Sequence, residues 1–349
     1  MYKTLSFLSF MCLFLAACSK QPQQFTSFED AQTALGSLNT ALVQTKTIKI
    51  DTLTDEQLVF SDAYLAKRHA VYQSLMDMQL ESNQIAQVNY LVIAERFPER
   101  YFNWPAQINV LENMLAFDGT KHKPDNIIKW LKLTQDQLDS AKQSNLKLNK
   151  VELSLLNSYV DETLKNNKVQ GALQSHLRAF SVYLSNYKVR GSVGLRGLAN
   201  GSEWYQSKLN YFSGAVHSPL EWASLLNKKI NMLKVTESIS NVDVPKTHEY
   251  SFLVQVVKSS KQIPGLDWQS HYLDLPSMAA NMNASTSNSA LMLVMMETDV
   301  GIHYHAWTLT QAKVNLIKRL KISPEFAQYL VEDIILYPGQ SFSFASTTL

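Results

Sequence analysis

Cysteine is nearly absent from the 349-residue sequence, which has two, and that excludes a disulfide framework and any cysteine-rich metal site. Glycine (11) and proline (10) are too sparse for a collagen-like or linker-dominated chain. Charge of one sign is missing as well: 32 Lys and Arg face 30 Asp and Glu, a formal net charge of +2. A sequence-independent nucleic-acid binder needs a basic face to displace counterions, so that class has no support. The phosphate-cradling patterns Gly-x-x-x-x-Gly-Lys and Gly-x-Gly-x-x-Gly are both absent, as is the Gly-x-Ser-x-Gly nucleophile elbow. Nucleotide use and elbow-type hydrolysis therefore lose their signatures. What remains is 46% hydrophobic and 18% charged, with enough length for one large core or two ordinary ones.

The N-terminus carries the only address. Lys3 precedes an apolar run from Leu5 to Leu15 that ends in Leu15-Ala16-Ala17-Cys18. A basic start, a short apolar stretch and small residues before a cut describe a secretory signal peptide. The run is too short for a mature membrane span, which needs about 20 apolar residues. Its ending resembles the lipobox of bacterial lipoproteins, in which the Cys thiol receives a diacylglycerol and becomes residue one. On that reading residues 1–17 are the signal, Cys18 is the lipid attachment, and 18–27 are a polar tether. Ser19, where an Asp would mean retention at the inner membrane, points to an outer-membrane protein facing the periplasm. An ordinary signal peptide with an incidental Cys is the bland alternative.

The rest of the chain, 28–349, reads as one all-α domain, with a subdivision allowed near 190–200. Helix starts recur: Ser27-Phe28-Glu29-Asp30, Thr54-Asp55-Glu56-Gln57, Thr134-Gln135-Asp136-Gln137 and Ser218-Pro219-Leu220-Glu221 resemble capping boxes. Ser323-Pro324-Glu325 puts Pro at a first helical position. Apolar residues then repeat at three and four, as in Phe28, Ala31, Leu35, Leu38 and Leu42, or Ile85, Val88, Leu91 and Val92. Breaks are expected at Phe97-Pro98, Lys123-Pro124, 190–201, 242–245 and 263–265. Asn281 to Ser289 is polar and aperiodic, and predicts a loop feeding a buried helix over Ala290 to Met296.

Two histidine groups are the metal candidates. His248-Glu249-Tyr250-Ser251-Phe252 begins like His-Glu-x-x-His, whose two imidazoles reach one ion a helical turn apart, but Phe252 cannot ligate. A surface His-Glu pair is the plain reading. His303-Tyr304-His305 places two His about 200° apart on a helix, so one is expected to pack while the other faces solvent. Zinc therefore enters only under an alternative reading, with His248, Glu249, His303 and His305 as weak ligand candidates.

Toward the C-terminus the chain carries Asp299-Val300-Gly301-Ile302-His303, Trp307-Thr308, Gln311-Ala312 and Tyr337-Pro338-Gly339-Gln340. Upstream it carries Asn200-Gly201-Ser202-Glu203-Trp204-Tyr205, Ser218-Pro219-Leu220-Glu221 and Arg96-Phe97-Pro98-Glu99-Arg100-Tyr101-Phe102. In this order the segments resemble bacterial domain-of-unknown-function 885, a family of helical, zinc-peptidase-like proteins that are often envelope lipoproteins. The family's His-Glu-x-x-Pro-Gly-His-His segment and its later Glu-Gly-Trp have no counterpart here. Met295 stands where members tend to have Arg, Asp333-Ile334 replaces Arg-Tyr, and Phe344 stands where Tyr is common. The resemblance thus implies a zinc-peptidase-like helical architecture with a shortened catalytic segment, and no resident cofactor. The expected function is a non-catalytic peptide- or protein-binding module with Tyr205, His303, Trp307, Tyr337 and Gln340 as groove candidates. Alternatives are an active metal-dependent peptidase with a rebuilt site, or a purely structural envelope lipoprotein. Membrane contact is expected through the N-terminal lipid; nucleic acid and nucleotide are not expected partners.

Overall fold

The computed structural model describes residues 25–38, 61–82, 84–85, 88–89, 92, 124–143, 145–165, 169–232, 252–253 and 286–349. The signal segment, Cys18 and most of the tether lie outside the described residues. So do Thr54 to Gln57, Arg96 to Phe102, His248, Glu249, and the breaks at 97–98, 242–245 and 263–265.

Local signals start the helices. Ser27 Oγ accepts from Asp30 N at 3.1 Å where α1 (Phe28–Leu38) begins. Ser61 caps α2 (Asp62–Met76) by accepting from Tyr64 N. The chain then runs through α3 (Pro124–Gln143), α4 (Lys150–Leu164) and α5 (Gly171–Ser185). After a 3-10 turn at Leu195–Gly197 come α6 (Gly201–Ser213) and α7 (Pro219–Met232). The C-terminal part holds α8 (Thr286–His303), α9 (Leu309–Leu320), α10 (Pro324–Leu336), a 3-10 turn at Gln340–Phe344, and α11 (Ala345–Thr348). Among the described residues there is no strand, and the protein is all-α. No helix among them is long and apolar enough to cross a membrane.

The capping chemistry explains the boundaries. At α7, Ser218 N donates to Glu221 Oε2 at 2.7 Å while Glu221 N donates to Ser218 Oγ, the reciprocal pair of a capping box. Thr308 and Gln311 make the same pair at α9, and Asn149 and Glu152 at α4. Ser323 caps α10 with Pro324 in its first turn. The expected box at Thr134 is not one: Thr134 sits inside α3, and its hydroxyl donates to Trp130 O at 3.0 Å. A helix already running from Pro124 satisfies that Thr internally. The loop expected over 281–289 is corrected for its last four residues, because α8 already begins at Thr286, while 281–285 lie outside the described residues. Ser, Thr and Asn favour a helix's first turn, so their polar run hid a start. Ile85, placed on a buried stripe, is 46% exposed, while Val88 beside it is buried.

Packing makes α8 the centre of the C-terminal part. Every side chain from Ala290 to Met296 is buried, which fits a helix that is apolar all round. It lies against α7, α9 and α10 and reaches both 3-10 turns. A second core joins α3, α4 and α5 around Trp130, Leu177 and Leu184. Met295 and Phe344, two of the departures from the family pattern, are both core residues.

Candidate functional site

The segments around Tyr205, Asp299–His303 and Gly339–Ser341 converge on a buried polar knot beside a cleft. Asp299, three turns into α8 and wholly buried, accepts from Tyr205 OH at 2.7 Å and from Ser341 Oγ at 2.8 Å. Its second oxygen also takes the Gly339 N–H at 2.9 Å. One carboxyl thereby ties α6 and the 339–341 turn to α8. Burial pushes its pKa up to about 7, against the lowering effect of those three donors and of Lys208.

His303 closes α8 one turn later, and its ring lies 5.3 Å from that of Tyr205. Its Nδ1 accepts from Leu195 N at 3.2 Å and its Nε2 meets Ile334 O at 2.9 Å. Only a neutral imidazole with the proton on Nε2 satisfies both partners. Burial holds its pKa down at about 3, helped by the positive charges of Arg190 and Lys208. His305 is exposed, its ring 5.1 Å from that of Tyr304. The two histidines therefore divide as expected, and share no ligand.

Two glycines permit this closeness. A Cβ on Gly194 would stand 2.0 Å from Ile302 O, a backbone atom that cannot swing away. One on Gly301 would stand 2.2 Å from the Trp307 ring, which folds back over it. Gly194→Ala is expected to lower stability by about 1–3 kcal/mol through overpacking, seen as a lower urea midpoint. An unchanged midpoint would mean that the 191–197 segment is not pressed against α8.

Beside the knot opens a cleft of about 260 Å³. One wall is the 191–197 segment with Ile302 behind it. The turn from Ala306 to Thr310 lines it as well, with Lys150 at the start of α4. Arg190 holds the first wall rigid, donating to Ser192 O at 2.6 Å and Gly194 O at 2.8 Å. Asn149 adds a bond to Val193 O at 3.2 Å. The facing turn is closed by Trp307 N donating to Gly301 O at 2.8 Å, with Ala306 held at φ 58°. That left-handed conformation costs a non-glycine residue about 1–2 kcal/mol.

The groove candidates separate accordingly. Trp307 lines the cleft. Tyr205, His303 and Gln340 do not form a groove wall: all three are buried, the first two in the knot. Their hydroxyl and imidazole groups are consumed by holding helices together. Tyr337 is half-buried at the end of α10, packed against the α3–α5 core. Lys150, Arg196 and Arg190 went unnoticed in the sequence, since lone cations between helices carry no motif.

The donor chemistry of the described residues does not fit a zinc centre. His303 spends both ring nitrogens on the backbone, and among the described residues no group of three His, Cys, Asp or Glu side chains lies close enough to share an ion. Phe252, in the position a second zinc His would take, is buried against Phe326 at 5.8 Å. Asp333, the departure before Tyr337-Pro338, accepts from Phe252 N at 2.8 Å and so anchors that segment. No protein-family model, no curated protein and no solved structure matches the chain.

Proposed function

We propose that this protein is a lipid-anchored envelope protein, held through Cys18 on an outer membrane and facing the periplasm, whose helical body binds peptides or a protein partner without hydrolysing them. Its resemblance to the unknown-function-885 family belongs to this reading, as that of a relative without the metal segment. One observation carries it: Tyr205, Asp299 and His303, the motif residues able to do chemistry that converge among the described residues, are locked in the buried knot, while the described residues lining the cleft include no carboxylate and no imidazole. Acyl transfer needs a nucleophile within reach of a base, and Ser192, Thr308 and Thr310 have none in the lining. A rigid, partly apolar cleft without a base suits recognition.

Two measurements on the full-length chain test this. Zinc content after dialysis against trace zinc is expected near zero; one zinc per chain would overturn the non-catalytic reading, with His248, Glu249, His303 and His305 the first residues to replace. Cys18→Ser is expected to abolish labelling by radioactive palmitate and to move the chain from the membrane to the soluble fraction. Unchanged labelling would remove the anchor from the proposal.

A further inference from the structure

We infer that the cleft between the 191–197 segment and the start of α9 receives the terminal carboxylate of a peptide chain, with the last side chain laid against Trp307. This rests on the binding reading above and gives it a ligand class.

Charge comes first. Among the described residues, the two ionisable side chains lining the cleft, Lys150 and Arg196, are both cations, although the whole sequence is nearly balanced. Neither makes an ion pair with a described residue. Arg196 donates through Nη1 to Tyr304 O at 2.7 Å, with its guanidinium over the Tyr304 ring at 5.7 Å, which leaves other N–H groups to give. Two like charges beside one small cavity leave an anion as the favoured occupant. The backbone adds to this. Lys150 opens α4 and Leu309 and Thr310 open α9, positions whose N–H groups have no carbonyl within their own helix. The caps Asn149 and Thr308 satisfy the next N–H groups, those of Val151, Glu152 and Gln311.

Shape and polarity choose among anions. Val193, Ile302, Ala306, Trp307 and Leu309 supply an apolar surface that a bare phosphate would leave unused. A carboxylate attached to an apolar side chain uses both halves. The volume, about 260 Å³, falls just under the roughly 300 Å³ at which drug-sized pockets begin. It holds the end of a chain, not an extended run. Both walls are pinned by hydrogen bonds before any ligand arrives, so little ordering entropy is lost on binding.

Equilibrium dialysis of the full-length chain against N-acetylated random tripeptides, read by mass spectrometry, tests this. The pool with free carboxylates is expected to be retained at least about tenfold better than the same pool as C-terminal amides, equivalent to about 1.4 kcal/mol. A Lys150→Ala/Arg196→Ala double variant of unchanged helical content is expected to lose that preference. Both cations are exposed or nearly so, so their removal leaves the core untouched. Equal retention of acid and amide pools would overturn the carboxylate inference and leave peptide binding standing. Retention of neither pool would overturn peptide binding with it. Displacement by inorganic phosphate at matched concentration would show a general anion site and sink the peptide-terminus assignment.

Discussion

Asp299→Ala is expected to destabilise the protein by about 3–6 kcal/mol at pH 5. The reason is what the substitution leaves behind. Tyr205 OH, Gly339 N–H and Ser341 OH all point at the lost carboxyl from inside the core. Each buried donor without an acceptor costs about 1–3 kcal/mol. At pH 5 the folded carboxyl holds its proton, so the truncation relieves no buried charge to offset this. Urea unfolding followed by circular dichroism measures the loss. A change under 1 kcal/mol would mean that the three elements are held by apolar packing alone and that the knot is incidental.

A second large effect concerns pH, where Asp299 and His303 act in opposition. The folded protein binds a proton on Asp299 more tightly than the unfolded chain does, about 7 against 3.8. Its stabilising contribution is therefore complete below pH 3.8 and fades as pH rises through 7. His303 is the reverse, about 3 folded against 6.5 unfolded. Its contribution is complete above pH 6.5 and fades as pH falls toward 3. Between about pH 4 and 6.5 one group takes up a proton on folding while the other gives one up. The two slopes, each about 1.4 kcal/mol per pH unit, cancel. Separating them exposes each. Relative to the parent, Asp299→Asn is expected to lose about 2.7 kcal/mol on going from pH 6.5 to 4.5, and His303→Gln to gain about the same. Asn and Gln keep some of the hydrogen bonds, so both variants remain foldable. Glu152, buried and also shifted upward, contributes equally to parent and variants and drops out of the difference. Parallel curves for parent and variants would show that neither group is as desolvated as its place in the core implies.

How much of this was legible in the sequence follows the range of the interactions. Ser218-Pro219-Leu220-Glu221 and Ser323-Pro324-Glu325 announced helix starts correctly, because a cap bonds within three residues of itself. Thr134 misled because the same pattern recurs inside a helix that began ten residues earlier, and nothing local distinguishes the two. Asn281 to Ser289 misled in part because a helix's first turn and a loop favour the same polar residues. His303 and His305 do have opposite fates, but not by helical geometry: α8 ends at His303, and His305 is exposed in the bend after it. Which of them packed inward could not be read, since the answer depends on Leu195 and Ile334, 108 and 31 residues away.

The same division holds for the site. Helical class, the caps, and the all-round apolar character of Ala290 to Met296 are written in residues no more than a few turns apart, so the chain alone determines them. The direction in which Tyr205, His303 and Gln340 face is not local, and packing turned all three inward, the first two to make a brace. The cleft is more distant still: Lys150, Arg196 and Thr310 come from three separate stretches and share no pattern until α4, the 191–197 segment and α9 meet. Burial against partners far along the chain decided that meeting, because the hydrophobic effect rewards any apolar contact and specifies none. Gly194 and Gly301, small enough to let backbone and indole pass, then fixed how close the walls could come.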